Sequence, residues 1–255
     1  MTGVATFLGI PQRAREIVAP KVYAFYYPWY GNPQAMGGSG KLAHWAAINV
    51  EKQRIADSTN YPALGPYDSH DEKLIGQHTQ WAREAGVDGF IVSWWGQGHF
   101  TDQALERLLD GGKRAGLEMT IYYERVRNPQ NAQTAADEIL EVLHRYADHP
   151  AWMRHEGKPV VFVYGRTLHE IGWETWAEVV RRVNAGYPGG AVLIGERQNR
   201  KSARIFAGIH KYNAAWKLNG MRVDELQAWA RATYPKWVRT AERAGRISTV
   251  TVIPG

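Results

Sequence analysis

Residues 86–124 read GVDGFIVSWWGQGHFTDQALERLLDGGKRAGLEMTIYYE, and this one stretch spells a strand, a helix and a second strand. The run at about 88–94 is short, apolar, rich in β-branched and aromatic residues and bounded by glycines, which is the pattern of a buried strand. From about 102 to 115, Leu105, Leu108 and Leu109 recur at helical spacing, and Lys113 and Arg114 fall in the last turn, where the helix dipole favours cations. Gly116 supplies the stop. A second strand follows at about 118–123. Strand, helix and strand in so few residues predict a βαβ unit with parallel strands.

The same alternation continues in both directions. Strands are predicted at about 22–28, 159–164, 191–195, 205–212 (a weaker one) and 247–253, and helices at about 71–85, 133–147, 173–185 and 222–243. Even spacing without a glycine-rich phosphate loop favours a (β/α)8 TIM barrel over a doubly wound sheet. Only seven strands are counted, so the expected fold is an α/β barrel, incomplete at the C-terminus. Residues 1–20 read as an N-terminal extension and 21–255 as one barrel domain, a size that suits a single large core. The stretch 31–69 is too long for a mere connector and is a functional candidate.

Composition narrows the function. The chain has no cysteine, which excludes disulfides, thiolate zinc sites and a cysteine nucleophile, and leaves the compartment open. No apolar run of signal-peptide or membrane-spanning length is present, so a soluble protein without membrane insertion is expected. A net charge of +6 raises nucleic acid as a partner, but most Lys and Arg are interspersed with Asp and Glu on predicted helices. No nucleic-acid partner is therefore expected, and the one dense basic stretch, RQNRKSAR at 197–204, reads as an exposed loop.

The ends of the strands carry the chemistry. VYAFYYPWY (22–30), GFIVSWW (89–95) and EMTIYYE (118–124) each close in aromatic and polar side chains, and parallel strands bring such ends to one face. Eleven Trp and thirteen Tyr exceed what packing requires. Aromatic rings around a carboxylate suit a sugar cleft: rings stack on the C–H faces of a pyranose, and a carboxylate binds hydroxyls or moves protons.

The strings FYYPWYGNP (25–33), His44-Trp45, YPALGPYDSHD (61–71), GVDGFIVSWWG (86–96), IYYE (121–124) and KPVVFVYGR (158–166), in this order, resemble glycoside hydrolase family 99, the endo-α-mannosidase and endo-α-mannanase group. The resemblance covers roughly residues 20–255. It implies a metal- and cofactor-independent barrel that cleaves internal α-mannosidic bonds with retention of configuration, acting on an oligosaccharide or polysaccharide. It also implies two catalytic glutamates in an Asn-Glu-Trp-x-Glu motif on the last barrel strand. That motif does not occur here, so the chain is expected to be the front part of a longer enzyme and inactive alone.

The resemblance places Glu124 as a supporting carboxylate facing the catalytic sugar, with a rim salt bridge to Arg125, Arg127 or Arg166 as the alternative. Of Trp94 and Trp95 one is expected to stack on a sugar, with Trp95 preferred, and the other to pack. Tyr27, Tyr30, Asn32 and Tyr123 are further expected sugar contacts, together with His44, Trp45, Tyr67, Asp68 and His70 around the long loop. Zinc-type ligand spacings are absent, so the histidines are read as hydrogen-bonding sugar or loop backbone. Glu196 reads either as a rim salt bridge with Arg197 or as a second carboxylate in the cleft.

Two rival functions stay open. One is a non-catalytic carbohydrate-binding or polysaccharide-biosynthesis accessory barrel. The other is an inverting glycosidase with Glu124 and Glu196 about 6.5–9.5 Å apart.

Overall fold

The computed structural model describes residues 20–56 and 60–252. Seven principal strands run β1 (Tyr23–Tyr26), β2 (Gly89–Trp94), β3 (Glu118–Tyr123), β4 (Lys158–Val163), β5 (Val192–Glu196), β6 (Gly208–His210) and β7 (Ile247–Ser248). They form one sheet in that order, with every neighbouring pair parallel. The helices are α1 (Glu72–Glu84), α2 (Phe100–Ala115), α3 (Ala132–Tyr146), α4 (Gly165–Ile171), α5 (Trp173–Gly186), α6 (Arg200–Ile205), α7 (Ala215–Leu218) and α8 (Val223–Glu242). The result is an incomplete (β/α) barrel. Among the described residues β1 and β7 share no ladder, but the mouth is bridged where the Tyr27 hydroxyl lies 2.6 Å from that of Tyr212, just beyond β6.

Local chemistry sets the helix ends. Asp71 caps α1 by accepting from the backbone N–H of Lys73 at 2.9 Å, and Asn131 caps α3 by accepting from that of Thr134 at 2.9 Å. Gly116, at φ 70°, turns the chain out of α2 in the left-handed conformation that glycine adopts most readily.

Strand parity builds two cores. Phe90, Val92 and Trp94 of β2, with Met119, Ile121 and Tyr123 of β3, face outward and pack on the helices. There they meet Leu105, Leu108 and Leu109 of α2, all at most 1% exposed, and each such leucine contributes roughly 1.5–3 kcal/mol of hydrophobic stabilisation. The alternate residues, among them Ile91, Tyr122, Phe162 and Ile194, fill the barrel interior. Where β3 and β4 diverge, residues 151–153 wedge between them, with the Met119 N–H donating to the Ala151 carbonyl and that of Met153 donating to the Met119 carbonyl, both at 2.7 Å.

Three expectations need correction in detail. The basic stretch 197–204 is not a loop throughout: Asn199 accepts from the Ser202 N–H at 2.9 Å and starts α6 there. Because that helix takes Ile205, the sixth strand shrinks to Gly208–His210. A three-residue neighbour leaves little to pair with, so β7 is only Ile247–Ser248; Thr249 still donates its N–H to the Ile209 carbonyl at 3.2 Å. Val250 and Val252 are exposed. The end of the expected strand at Ile253, and the extension over residues 1–19, lie outside the described residues.

Candidate active site

Because the strands are parallel, their C-terminal ends share one rim. Trp29, Trp95, Glu124, Tyr164, Glu196, His210 and Tyr212 all follow or end strands there.

Ser93, near the end of β2, organises the centre. Its hydroxyl accepts from the indole N–H groups of Trp29 (2.9 Å) and Trp95 (3.0 Å) and donates to Glu124 Oε1 at 2.7 Å. One donor and two acceptors are all a serine hydroxyl offers, so its hydrogen-bonding capacity is used in full. Both indoles and the carboxyl are thereby hung on a single side chain. Burial pushes the Glu124 carboxyl up to about 7, with the neighbouring Glu196 charge adding to the rise, against the Ser93 hydrogen bond and the Arg166 guanidinium. A carboxyl in that range exchanges protons readily at neutral pH.

Glu196 is held differently. Its Oε2 accepts from the Gly165 N–H at 2.7 Å and its Oε1 pairs with Lys211 Nζ at 3.2 Å. A Cβ on residue 165 would stand 2.4 Å from Oε2, so glycine at the start of α4 lets the carboxylate sit this close, and any larger residue would displace it. The Lys211 pair, rather than one with Arg197, is the rim salt bridge. Arg127 and Arg166 pair with Glu138 and Glu170 instead of Glu124, and Glu124 has no ion pair among the described residues.

Below these carboxyls lie Tyr122 and His210, each 1% exposed, with ring centroids 5.4 Å apart. The Tyr122 hydroxyl has no hydrogen-bond partner among the described residues, and burial raises its pKa far above the ordinary phenol value. Burial also drives the His210 imidazole down to about 4, so it is neutral at physiological pH. The mouth widens between β4 and β6 into a cleft of about 490 Å³ lined in part by Tyr164, Arg166, Glu196, Lys211 and Tyr212.

The expected site residues thus divide. Tyr27, Trp95, Glu124 and Glu196 are brought together, and His44 joins them at the rim, 5.3 Å from the Trp29 ring. Trp94 and Tyr123 do not reach the cleft. Strand parity turns them outward, where the Trp94 indole donates to Asp102 at 2.8 Å and the Tyr123 hydroxyl to Glu138 at 2.6 Å. Tyr30, Trp45 and Tyr67 form a second aromatic cluster at the base of the long loop, with centroids 4.4–5.6 Å apart, joined to the rim through His44, 6.2 Å from the Tyr30 ring, and the Trp45 indole donates to the Tyr67 carbonyl at 2.6 Å.

Asp68 is fully buried as the loop's anchor. It accepts from the N–H groups of Asn32, Ser39 and His70 and from the Ser39 hydroxyl, at 2.6–3.0 Å. Burial alone would raise its pKa, but these hydrogen bonds outweigh that and hold it below the usual carboxylate range. Asn32 is similarly engaged, donating to the Pro66 carbonyl at 2.5 Å, and His70 bonds the Phe100 carbonyl at 2.8 Å.

Sequence reading passed over Ser93, Tyr122, Tyr164, Lys211 and Tyr212. Ser93 had a signal, as the one polar residue in GFIVSWW, and Tyr122 lies two residues before Glu124 and so shares its face. Lys211 and Tyr212 follow a strand too short to announce itself. No group of three or more His, Cys, Asp or Glu able to hold a metal ion occurs among the described residues.

Comparison with known proteins bears on this site. The sequence model of glycosyl hydrolase family 99 matches residues 18–187. The glycoprotein endo-alpha-1,2-mannosidase of Rattus norvegicus is 28% identical over 204 residues, 67% of this chain and 43% of that protein. The Mus musculus protein of the same name is 30% identical over 189 residues, 61% of this chain and 40% of its own length. This chain therefore spans about two fifths of the curated relatives it matches. A solved GH99 endo-alpha-mannosidase from Bacteroides thetaiotaomicron, in complex with BIS-TRIS-propane, superposes with a TM-score of 0.65 at 28% identity, covering 84% of this chain and 66% of that one.

Proposed function

The chain belongs to glycosyl hydrolase family 99, and from that premise we propose that its barrel mouth is the α-mannoside-binding cleft of an endo-acting, retaining glycoside hydrolase. The observation that carries this reading is the Ser93 hub, which sets a buried carboxyl with a pKa near 7 beneath two indoles. The indoles offer flat apolar faces to a pyranose, and Glu124 can accept from or donate to its hydroxyls. The mannosidase names of the relatives point to an α-mannosidic linkage.

Glu124 acts here as a supporting carboxyl. Hydrolysis with retention needs two carboxyl groups that exchange protons or charge with the reacting sugar, and Glu196 is engaged by Lys211 and the Gly165 N–H. The purified chain is therefore expected to bind α-mannosides without turning them over, since lost acid–base help costs about 10²–10⁴ in rate. Titration with an α-1,2-linked mannotetraose, followed by product analysis, tests both halves. Binding that survives in the wild-type chain and disappears in Trp95→Ala supports the cleft. Turnover above background that Glu124→Gln abolishes would instead make Glu124 and Glu196 the working pair, and failure to bind the tetraose at all would remove the sugar cleft.

A further inference from the structure

The part of the cleft between β4 and β6 has a charge the mannoside reading does not use. Its wall holds three cations, Arg166, Arg197 and Lys211, with Glu196 as the carboxylate among them. Lys211 is paired with Glu196 at 3.2 Å and Arg166 with Glu170 at 2.8 Å. Arg197 has no carboxylate partner among the described residues. Its Nη2 lies 2.7 Å from His169 Nε2, and since a guanidinium only donates, that nitrogen accepts and supplies no negative charge.

The backbone of Arg197 is equally unusual. It sits at φ 97°, a region that L-residues with side chains rarely adopt, fixed by its own N–H donating to the His210 carbonyl at 2.9 Å and by its carbonyl accepting from Asn199 at 2.9 Å. Strain of this kind concentrates where a side chain must be aimed. Glycine would hold the same turn freely, so the backbone does not call for arginine there. Across the same cleft, Trp216 on α7 is 74% exposed, a large ring that, among the described residues, meets the Lys217 ammonium 5.8 Å from its centroid.

We propose that this arm of the cleft recognises an anionic group carried by the glycan, with Arg197 pairing the anion and Trp216 stacking on the sugar that bears it. The inference rests on the mannoside reading and sharpens it to an acidic oligosaccharide. A phosphate or a uronate carboxylate fits the planar guanidinium fork, which binds either through two parallel hydrogen bonds. Arg197 and Trp216 thus become specificity residues, distinct from the Ser93 and Glu124 centre.

The test is a calorimetric titration of the purified chain with three probes of equal length: neutral α-mannotetraose, its 6-phosphorylated counterpart and a glucuronate-capped α-mannotriose. At low salt an acidic probe should bind about tenfold tighter than the neutral one, the scale of one charge-assisted pair. In Arg197→Gln that preference should vanish while neutral binding is kept, and raising the salt in the wild type should erode it in the same way. Trp216→Ala should weaken acidic and neutral probes together. Equal affinity for all three probes, or a preference that survives Arg197→Gln, overturns this proposal and leaves the mannoside reading standing. Failure of the neutral tetraose to bind overturns the mannoside reading itself. Which acidic probe gains more identifies the anion.

Discussion

Two pairs of adjacent, chemically alike residues meet opposite fates. Trp94 ends β2 and Trp95 follows it, and Tyr122 and Tyr123 close β3. Trp94 and Tyr123 face outward, are at most 1% exposed, and hand their polar atoms to Asp102 and Glu138. Trp95 and Tyr122 face the barrel mouth and interior, where Trp95 hangs from Ser93 and the Tyr122 hydroxyl is unpartnered among the described residues. One step along a strand therefore separates a side chain that holds the fold from one that shapes the cleft. On the outer face both polar atoms are satisfied internally, whereas on the inner face the Tyr122 hydroxyl is left without a partner among the described residues.

Trp94→Ala should test this most strongly. It empties a packed site and takes one donor from the Asp102 carboxylate, which keeps the Gly98 N–H at 2.8 Å and the Arg145 guanidinium at 3.7 Å, so unfolding free energy measured by denaturant titration should fall by about 3–5 kcal/mol. Trp95→Ala, at the partly buried rim, should cost less, about 1 kcal/mol, yet abolish mannoside binding. Equal stability losses would erase the distinction between the two faces.

That distinction marks the limit of what the sequence could tell. Hydrophobic periodicity made the strands and major helices legible, as with Leu105, Leu108 and Leu109 on α2, because burying one helix stripe leaves a repeat in the chain. The convergence of Trp95 and Glu124 at one rim followed from parallel topology alone. Which member of a Trp-Trp or Tyr-Tyr pair points inward is a property of register: two aromatics in a row give no alternation of their own, and for Tyr122 it is the two-residue spacing to Glu124 that supplies it. Asp68 misled for another reason. Its role comes from four hydrogen bonds that a folded loop brings to it, and composition cannot announce them. Helix α4 hides because its seven residues bury few side chains.

The inner face should also show itself in the pH dependence of stability. Glu124 has a folded pKa near 7 against an ordinary value of 4.5, so between those values the native state holds a proton that the unfolded state has released. Stability from this group is thus fully present below about pH 4.5 and is lost as pH rises through 7, by on the order of 2–3 kcal/mol. Glu124→Gln removes the titration while its amide oxygen can still accept from Ser93. Denaturant melts at pH 4.5 and 8 should find the variant close to wild type at the lower pH and more stable by that amount at the higher. A constant difference across the range would mean that Glu124 is ionised and solvated like any surface carboxylate. Asp68, whose pKa is lowered, contributes the opposite trend below pH 4, but it is common to both proteins and cancels in the comparison.

The smallest effect isolates a single oxygen on each face. Tyr123→Phe takes a donor from Glu138, a carboxylate whose side chain is 3% exposed and which, among the described residues, keeps the Arg127 backbone N–H and a 3.7 Å guanidinium contact. Loss of a hydrogen bond to a buried charge should cost about 1–2 kcal/mol in denaturant titration. Tyr122→Phe removes a hydroxyl that is buried and unpartnered among the described residues, so the variant sheds a desolvation penalty and should be unchanged or more stable by up to about 1 kcal/mol. If that hydroxyl is held ready for a sugar, the same variant should bind α-mannotetraose more weakly while Tyr123→Phe binds it normally. The two phenylalanines then swap roles: one loses stability and keeps binding, the other keeps stability and loses binding. A Tyr122→Phe protein that is destabilised as much as Tyr123→Phe would show that the inner hydroxyl belongs to the fold after all.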